Sequence, residues 1–220
     1  MKLLAQAAAG LVFLLAVLGA ILFGLAGLAY WQGWTFLAVF ASASIAITID
    51  LARRDPALLA RRVQAGPLAE PSAKQKVIQA CAGVTFLAIF AIAALDQPAR
   101  VPTALVIAGN GLVALGLFVV FRVYRANTFT SATIAVERGQ HVVSTGPYAI
   151  VRHPMYAGAI VMILGMPLAL ASWWAFVTVP VMVGVIAWRL ADEERQLVAD
   201  LPGYAAYRSR VTHRLVPHLW

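Results

Sequence analysis

An all-α bundle of membrane-crossing helices, about six spans with the last two as a helical hairpin, is the fold this sequence predicts, and three observations predict it. Hydrophobic residues make up 62% of the 220 and charged residues only 12%, with a mean hydropathy of +0.83. One soluble core cannot enclose that much apolar surface. The apolar residues also fall in runs comparable to the ~20 residues that cross a bilayer. Finally, the basic residues sit in short stretches between those runs instead of forming one face. The net charge of +8 therefore reads as membrane topology and not as a nucleic-acid surface.

The first span is expected over residues 11–30, too long for a signal-peptide core, with Trp31 and Trp34 as an interfacial pair. Gly10, Gly19, Gly24 and Gly27 would permit close packing there. A turn at 31–33 leads into a second span, 34–51, with Asp50 at its inner end near Arg53 or Arg54. Residues 53–76 form the main soluble loop, holding six basic residues against two acids, so its side of the membrane is expected to be cytoplasmic. Within it, Pro56 to Arg62 reads as a short amphipathic surface helix whose default role is contact with anionic lipid, ended by Gly66-Pro67. A third span is expected over 77–95 and a fourth over 101–123, joined by a loop of zero net charge from Asp96 to Arg100. Gly109, Asn110, Gly111 and Gly116 imitate a nucleotide fingerprint, but no strand precedes them; helix packing is the better reading.

Residues 127–145 are a polar approach to the most informative stretch, which runs from Gln140 to Gly158. Gly146-Pro147 marks a turn, and Pro154 suits the first position of a helix, where a missing N–H costs nothing. Arg152, His153, Tyr148 and Tyr156 would then gather at a helix N-terminus on the water boundary, a setting that favours anionic groups. An interfacial role for the same residues, as membrane anchors and aromatic belt, is the plain alternative. Residues 157–188 are too long for one ordinary span and short for two. Pro167 and the Ala171-Ser-Trp-Trp174 step favour a tight hairpin. The helix carrying Asp192, Glu193 and Glu194 leaves the bilayer, Leu201-Pro202-Gly203 turns, and Tyr204 to Tyr207 folds back as a short helix. His213 to Trp220 is a basic, aromatic end suited to the interface.

With six crossings both termini fall on the cytoplasmic side, and every Lys and Arg except Arg100 faces it; five crossings would put the basic tail outside, against the positive-inside rule. One integral-membrane domain, 1–220, is expected, with four spans in 1–125 and the motif, hairpin and tail in 126–220. The single Cys81 lies in an apolar run, and His141, His153, His213 and His218 have no metal-ligand spacing, so no metal is expected.

The run G-P-Y-x-x-x-R-H-P-x-Y-x-G (146–158), followed by E-E-x-x-L (193–197) and G-Y-x-x-Y (203–207), resembles the signature of the isoprenylcysteine carboxyl methyltransferase family. These are integral-membrane, S-adenosylmethionine-dependent enzymes related to the phospholipid N-methyltransferases, and the likeness covers 127–220. Over the first half only the basic loop is similar to bacterial members, which implies a bacterial-type enzyme of the inner membrane. Asn127 and Ser131 resemble the family's approach to the motif, whereas Ala135 and Gln140 depart from it, standing where relatives carry glutamine and histidine.

The resemblance implies S-adenosylmethionine as cofactor. Gln140, His141, Val142, Val143 and Tyr148 would line its adenosine part, and His153, Pro154, Met155 and Tyr156 its methionine part. Glu193 would hold the ammonium, and Arg189 would be the catalytic residue facing a lipophilic or lipid-modified acceptor, delivered from membrane lipid through an opening between the fourth span and the final hairpin. The competing reading of Arg189 and Glu193 is an ordinary i, i+4 ion pair. Glu194 reads as solvated, and Tyr204 and Tyr207 as belt residues or packing of the tail against the site. An NADPH-dependent membrane reductase of the steroid reductase type and a non-enzymatic scaffold are the rival classes. Neither the acceptor nor the oligomeric state follows from the sequence.

Overall fold

The computed structural model describes residues 2–98, 101–134 and 139–217, and no strand occurs among them. The helices are α1 (Lys2–Ala26), α2 (Trp31–Arg54), α3 (Pro56–Val63), α4 (Ala73–Leu95), α5 (Thr103–Ala126), α6 (Pro154–Ala169), α7 (Thr178–Asp200) and α8 (Tyr204–Arg210). Five are long and apolar enough to cross a membrane: α1, α2, α4, α5, and α7 together with the 3-10 turn before it. The sixth apolar helix, α6, has 16 residues, about 24 Å, which falls short of the ~30 Å hydrocarbon layer. The expected hairpin is present as α6–α7, so 157–188 is not one long helix. Its tip is held by polar groups: Asp96 accepts from the Ser172 hydroxyl at 2.7 Å and the Trp174 amide at 3.3 Å, and Tyr30 donates to the Leu170 carbonyl. Ala171 takes a left-handed φ of 50° there, where an alanine is disfavoured and contacts on both sides must hold it.

The first turn falls earlier than expected. Gly27, with φ of 82°, ends α1 in the left-handed conformation that glycine adopts without a Cβ clash, and α2 already begins at Trp31. Trp34 stacks on Phe23 with ring centroids 4.1 Å apart, closing this first hairpin. The close helix packing expected at Gly10, Gly24 and Gly27 does not occur, since a Cβ at any of them would meet nothing within 4 Å. At the other end of α2, Asp50 pairs with Arg54 at 3.0 Å and Arg125 at 3.2 Å.

Helix α3 is the predicted amphipathic helix, capped by the Asp55 carboxylate on the Leu58 amide at 2.9 Å. Its apolar face meets protein, however, and not lipid: Leu58 and Leu59 are buried against Leu51, Leu3 and Ala7. Arg62 donates to the Ser131 carbonyl at 2.8 Å, and Arg61 bonds the Thr128 carbonyl. The start of α1, the basic stretch around α3 and the C-terminal tail thus share one end of the bundle.

Helices α5 and α6 are packed backbone to backbone. A Cβ on Gly109 would stand 2.3 Å from the Ala169 nitrogen, and one on Gly116 would stand 2.5 Å from the Gly158 oxygen. Gly165 reciprocates against Gly109 at 2.6 Å. Glycines seven residues apart on each helix therefore meet in antiparallel register, which is the small-residue packing of membrane helices. Gly111 plays no part, since it faces open space. On the α6 side of the final hairpin, the fourth span is in backbone contact along this seam.

Candidate functional site

Residues 152 and 153 cannot continue the 3-10 turn of Gly146–Ala149 into a helix, because Pro154 disfavours the α conformation in the residue before it. Their amides instead donate to the His213 and Arg214 carbonyls at 3.0 and 2.9 Å, so the C-terminal tail runs beside the motif. Pro154 then opens α6 as predicted. The start of α6, the inner ends of α4, α5 and α7, and the segments 127–134 and 140–143 surround a cavity of about 380 Å³, within the range of small-molecule sites.

All of the predicted site residues line it. Gln140, His141, Val142 and Val143 come from an extended segment, Tyr148 from the 3-10 turn, His153, Pro154, Met155 and Tyr156 from the start of α6, and Arg189 and Glu193 from α7. Asn127 and Ser131 also face the cavity. Ala135 lies outside the described residues, as do Arg100 and His218.

The electrostatics of the wall differ from expectation at three places. Arg189 does not pair with Glu193 one turn along α7. Its Nη1 lies 2.8 Å from a Glu70 carboxylate oxygen, while Nε donates to the Tyr156 hydroxyl at 3.1 Å, Nη1 to Gln75 at 3.1 Å and Nη2 to the Ala132 carbonyl at 2.9 Å. Glu193 instead accepts from the Tyr156 hydroxyl at 2.6 Å, and no basic side chain among the described residues forms an ion pair with it. The reading of Arg189 and Glu193 as an ordinary surface pair is thereby overturned.

Second, Glu194 is buried and not solvated. It accepts from Arg152 Nε at 2.6 Å and Arg214 Nε at 3.0 Å, and lies 3.2 Å from His153 Nε2. Third, Arg152 is engaged by Glu194 and by the Val211 and Thr212 carbonyls at 2.8 and 2.7 Å, so it locks the tail to the motif instead of waiting for an anion. His153 keeps its place at the α6 start, its ring stacked on Tyr156 with centroids 5.8 Å apart.

Three phenols close the cavity on the tail side. Burial raises the pKa of Tyr148 and Tyr204 and pushes that of Tyr207 up to about 12, because a phenolate would lose its hydration. They are neutral donors at physiological pH. Tyr207 donates to the Tyr148 carbonyl at 2.8 Å, which makes it packing for the tail against the site. The Tyr204 hydroxyl is buried with no hydrogen-bond partner among the described residues, on a residue that lines the cavity; buried hydroxyls are ordinarily paired, so this donor is open to an acceptor that enters the cavity.

Sequence reasoning passed over Glu70, Gln75 and the role of Glu194. The signal for Glu70 was an isolated acid in an otherwise basic loop; the signal for Glu194 was a doubled acid on a helix whose faces point 100° apart. No group of three or more His, Cys, Asp or Glu side chains placed to hold a metal occurs among the described residues.

No curated protein matches the chain. Residues 104–201, from α5 to the end of α7, match the family model of the phospholipid methyltransferases, so this segment is similar to that family.

Proposed function

We propose that the cavity binds S-adenosylmethionine and that the chain moves its methyl group to a lipophilic acceptor, of the prenylcysteine carboxylate kind or another lipid-soluble nucleophile. The observation that carries this reading is the bonding of Glu193: a carboxylate in the cavity wall, oriented by the Tyr156 hydroxyl and in no ion pair with a basic side chain among the described residues. Such a site favours a cation, and the cofactor brings both an ammonium and a sulfonium. The other residues suit its remaining parts. The first-turn amides of α6, with His153 at its start, would suit a carboxylate, Val142, Val143 and Met155 would offer apolar cover to the adenosine, and the Tyr204 hydroxyl, unpartnered among the described residues, would be available to a polar atom.

When bound, the cofactor supplies an electrophilic methyl on a sulfonium, whose positive charge is lost on transfer. The chain's own contribution is to orient the donor, exclude water and admit the acceptor. Arg189, held between α4, α6 and the 127–134 segment, lies toward the bilayer from Glu193 by one turn of α7. It is the residue we assign to the acceptor side.

S-adenosylhomocysteine tests the cation site without turnover. It shares the ammonium, so Glu193→Gln should weaken its binding by about 1.5–3 kcal/mol, roughly ten- to hundredfold, as removal of a charge-assisted contact does. Calorimetry on the purified protein in detergent reads this directly. Unchanged affinity in Glu193→Gln would remove the basis of the proposal.

A further inference from the structure

Glu70 lies in the loop between α3 and α4, outside the segment that matches the methyltransferase family, yet its side chain is fully buried against that segment. One carboxylate oxygen accepts from the Ile134 amide at 3.2 Å; the other stands 2.8 Å from Arg189 Nη1. Arg189 is itself only 11% exposed, and a guanidinium so placed needs a counter-charge. Two carboxylates are within its compass: Glu70, and Glu193 one helical turn away, at the i+4 spacing where a basic and an acidic side chain ordinarily meet. The structure gives the pairing to Glu70.

What separates Arg189 from Glu193 is the Tyr156 hydroxyl. It accepts from Arg189 Nε at 3.1 Å and donates to Glu193 at 2.6 Å, so Glu70, Arg189, Tyr156 and Glu193 form one row with Tyr156 as spacer. Directed bonds from Arg189 to Gln75 and the Ala132 carbonyl hold the guanidinium on the Glu70 side of that spacer.

We propose that Glu70 is a positioning residue: by carrying the counter-charge of Arg189 it prevents Arg189 from closing onto Glu193, and so keeps the Glu193 carboxylate for the cation of the ligand. This rests on the reading of the cavity as a methyl-donor site. Without the Glu70 charge, the nearest compensation for Arg189 is Glu193, and an intramolecular ion pair there competes with the ligand.

The test is a cycle of variants read by S-adenosylhomocysteine calorimetry on the full chain in detergent. Glu70→Gln should weaken binding about tenfold, and Glu70→Asp, which keeps the charge, by less. Adding Arg189→Met to Glu70→Gln removes the competitor and should restore affinity to within roughly threefold of wild type, a non-additive rescue that loss of structure would not produce. The double variant also removes both members of the Glu70–Arg189 pair, so it keeps the test open if Glu70→Gln alone folds poorly. Absence of binding by the wild type would overturn the methyl-donor reading and this inference together. Normal wild-type binding with an indifferent Glu70→Gln, or with a loss that Arg189→Met does not rescue, would overturn this inference alone.

Discussion

Helices α5 and α6 meet where glycines bring their backbones into contact, whereas the end of α7 that carries residues 192–194 is tied to its neighbours by a series of charged and polar side chains. Asp192 takes Lys74 at 2.5 Å and also Gln75, both from α4. Glu193 takes Tyr156 from α6, and Glu194 takes the motif and the tail. Three consecutive acids thus bind three different parts of the molecule. The difference divides labour around the cavity. The α5–α6 seam cannot widen without losing contact along its length, so it fixes the wall that carries the motif. The α7 side is a set of separable ties, each removable by one substitution, and that is the side that carries Arg189 and Glu193.

The largest expected effect comes from the most buried of those ties. Glu194 is 5% exposed in its side chain and Arg152 equally so, with Arg214 on its other oxygen. Glu194→Gln leaves Arg152 buried without its counter-charge, which should cost about 3–5 kcal/mol. Thermal unfolding in detergent would show it as a large fall in Tm, with the tail becoming sensitive to protease as its tie to residues 152–153 loosens. A Tm within a degree or so of wild type would mean that the backbone bonds between 152–153 and 213–214 hold the tail by themselves.

The seam gives a matched pair of smaller size. Gly109→Ala places a methyl against the Ala169 backbone, and Gly111→Ala, two residues on, places the same methyl in open space. The first should destabilise by about 1–3 kcal/mol, as overpacking does. The second should be neutral or stabilising by about 0.5–1 kcal/mol, since alanine is the better helix former. Equal Tm shifts in the two would show that the seam is looser than its distances imply, and the contrast with α7 would fail.

The same contrast explains what could be read in the sequence. Apolar length, Pro154 and the Ala171 to Trp174 step are local signals, and they located the helices, the α6 start and the hairpin. The motif residues converge on one cavity because four contiguous segments carry them, and contiguity survives translation into space. Glu194 was read as solvated because doubled acids at a membrane boundary usually face water; its burial depends on a tail that returns to cover it, and no residue near Glu194 announces that. Glu70 was hidden for the same reason, its partner Arg189 being on a helix far along the chain. The glycines of α1 misled in the opposite sense. Small residues permit close packing, but only a partner helix with matching glycines, as α6 has for α5, makes use of them.

The smallest expected effect is at the outermost tie. Lys74 is 38% exposed in its side chain and Asp192 13%, so solvent screens the pair, and Asp192 keeps Arg195 at 2.8 Å and Gln75 when Lys74 is gone. Lys74→Met retains most of the apolar stem and removes only the charge. It should therefore destabilise by no more than about 0.2–1 kcal/mol at low ionic strength, and by less in high salt, because ions screen a pair this exposed. Comparing Tm of wild type and Lys74→Met in 50 mM and 500 mM salt decides the matter (concentrations roughly bracketing a Debye length from above 10 Å to below 5 Å). A loss of several kcal/mol that salt does not reduce would place Lys74 in the same class as Arg152. The α7 side would then be a single cooperative lock, and the picture of separable ties would have to be given up.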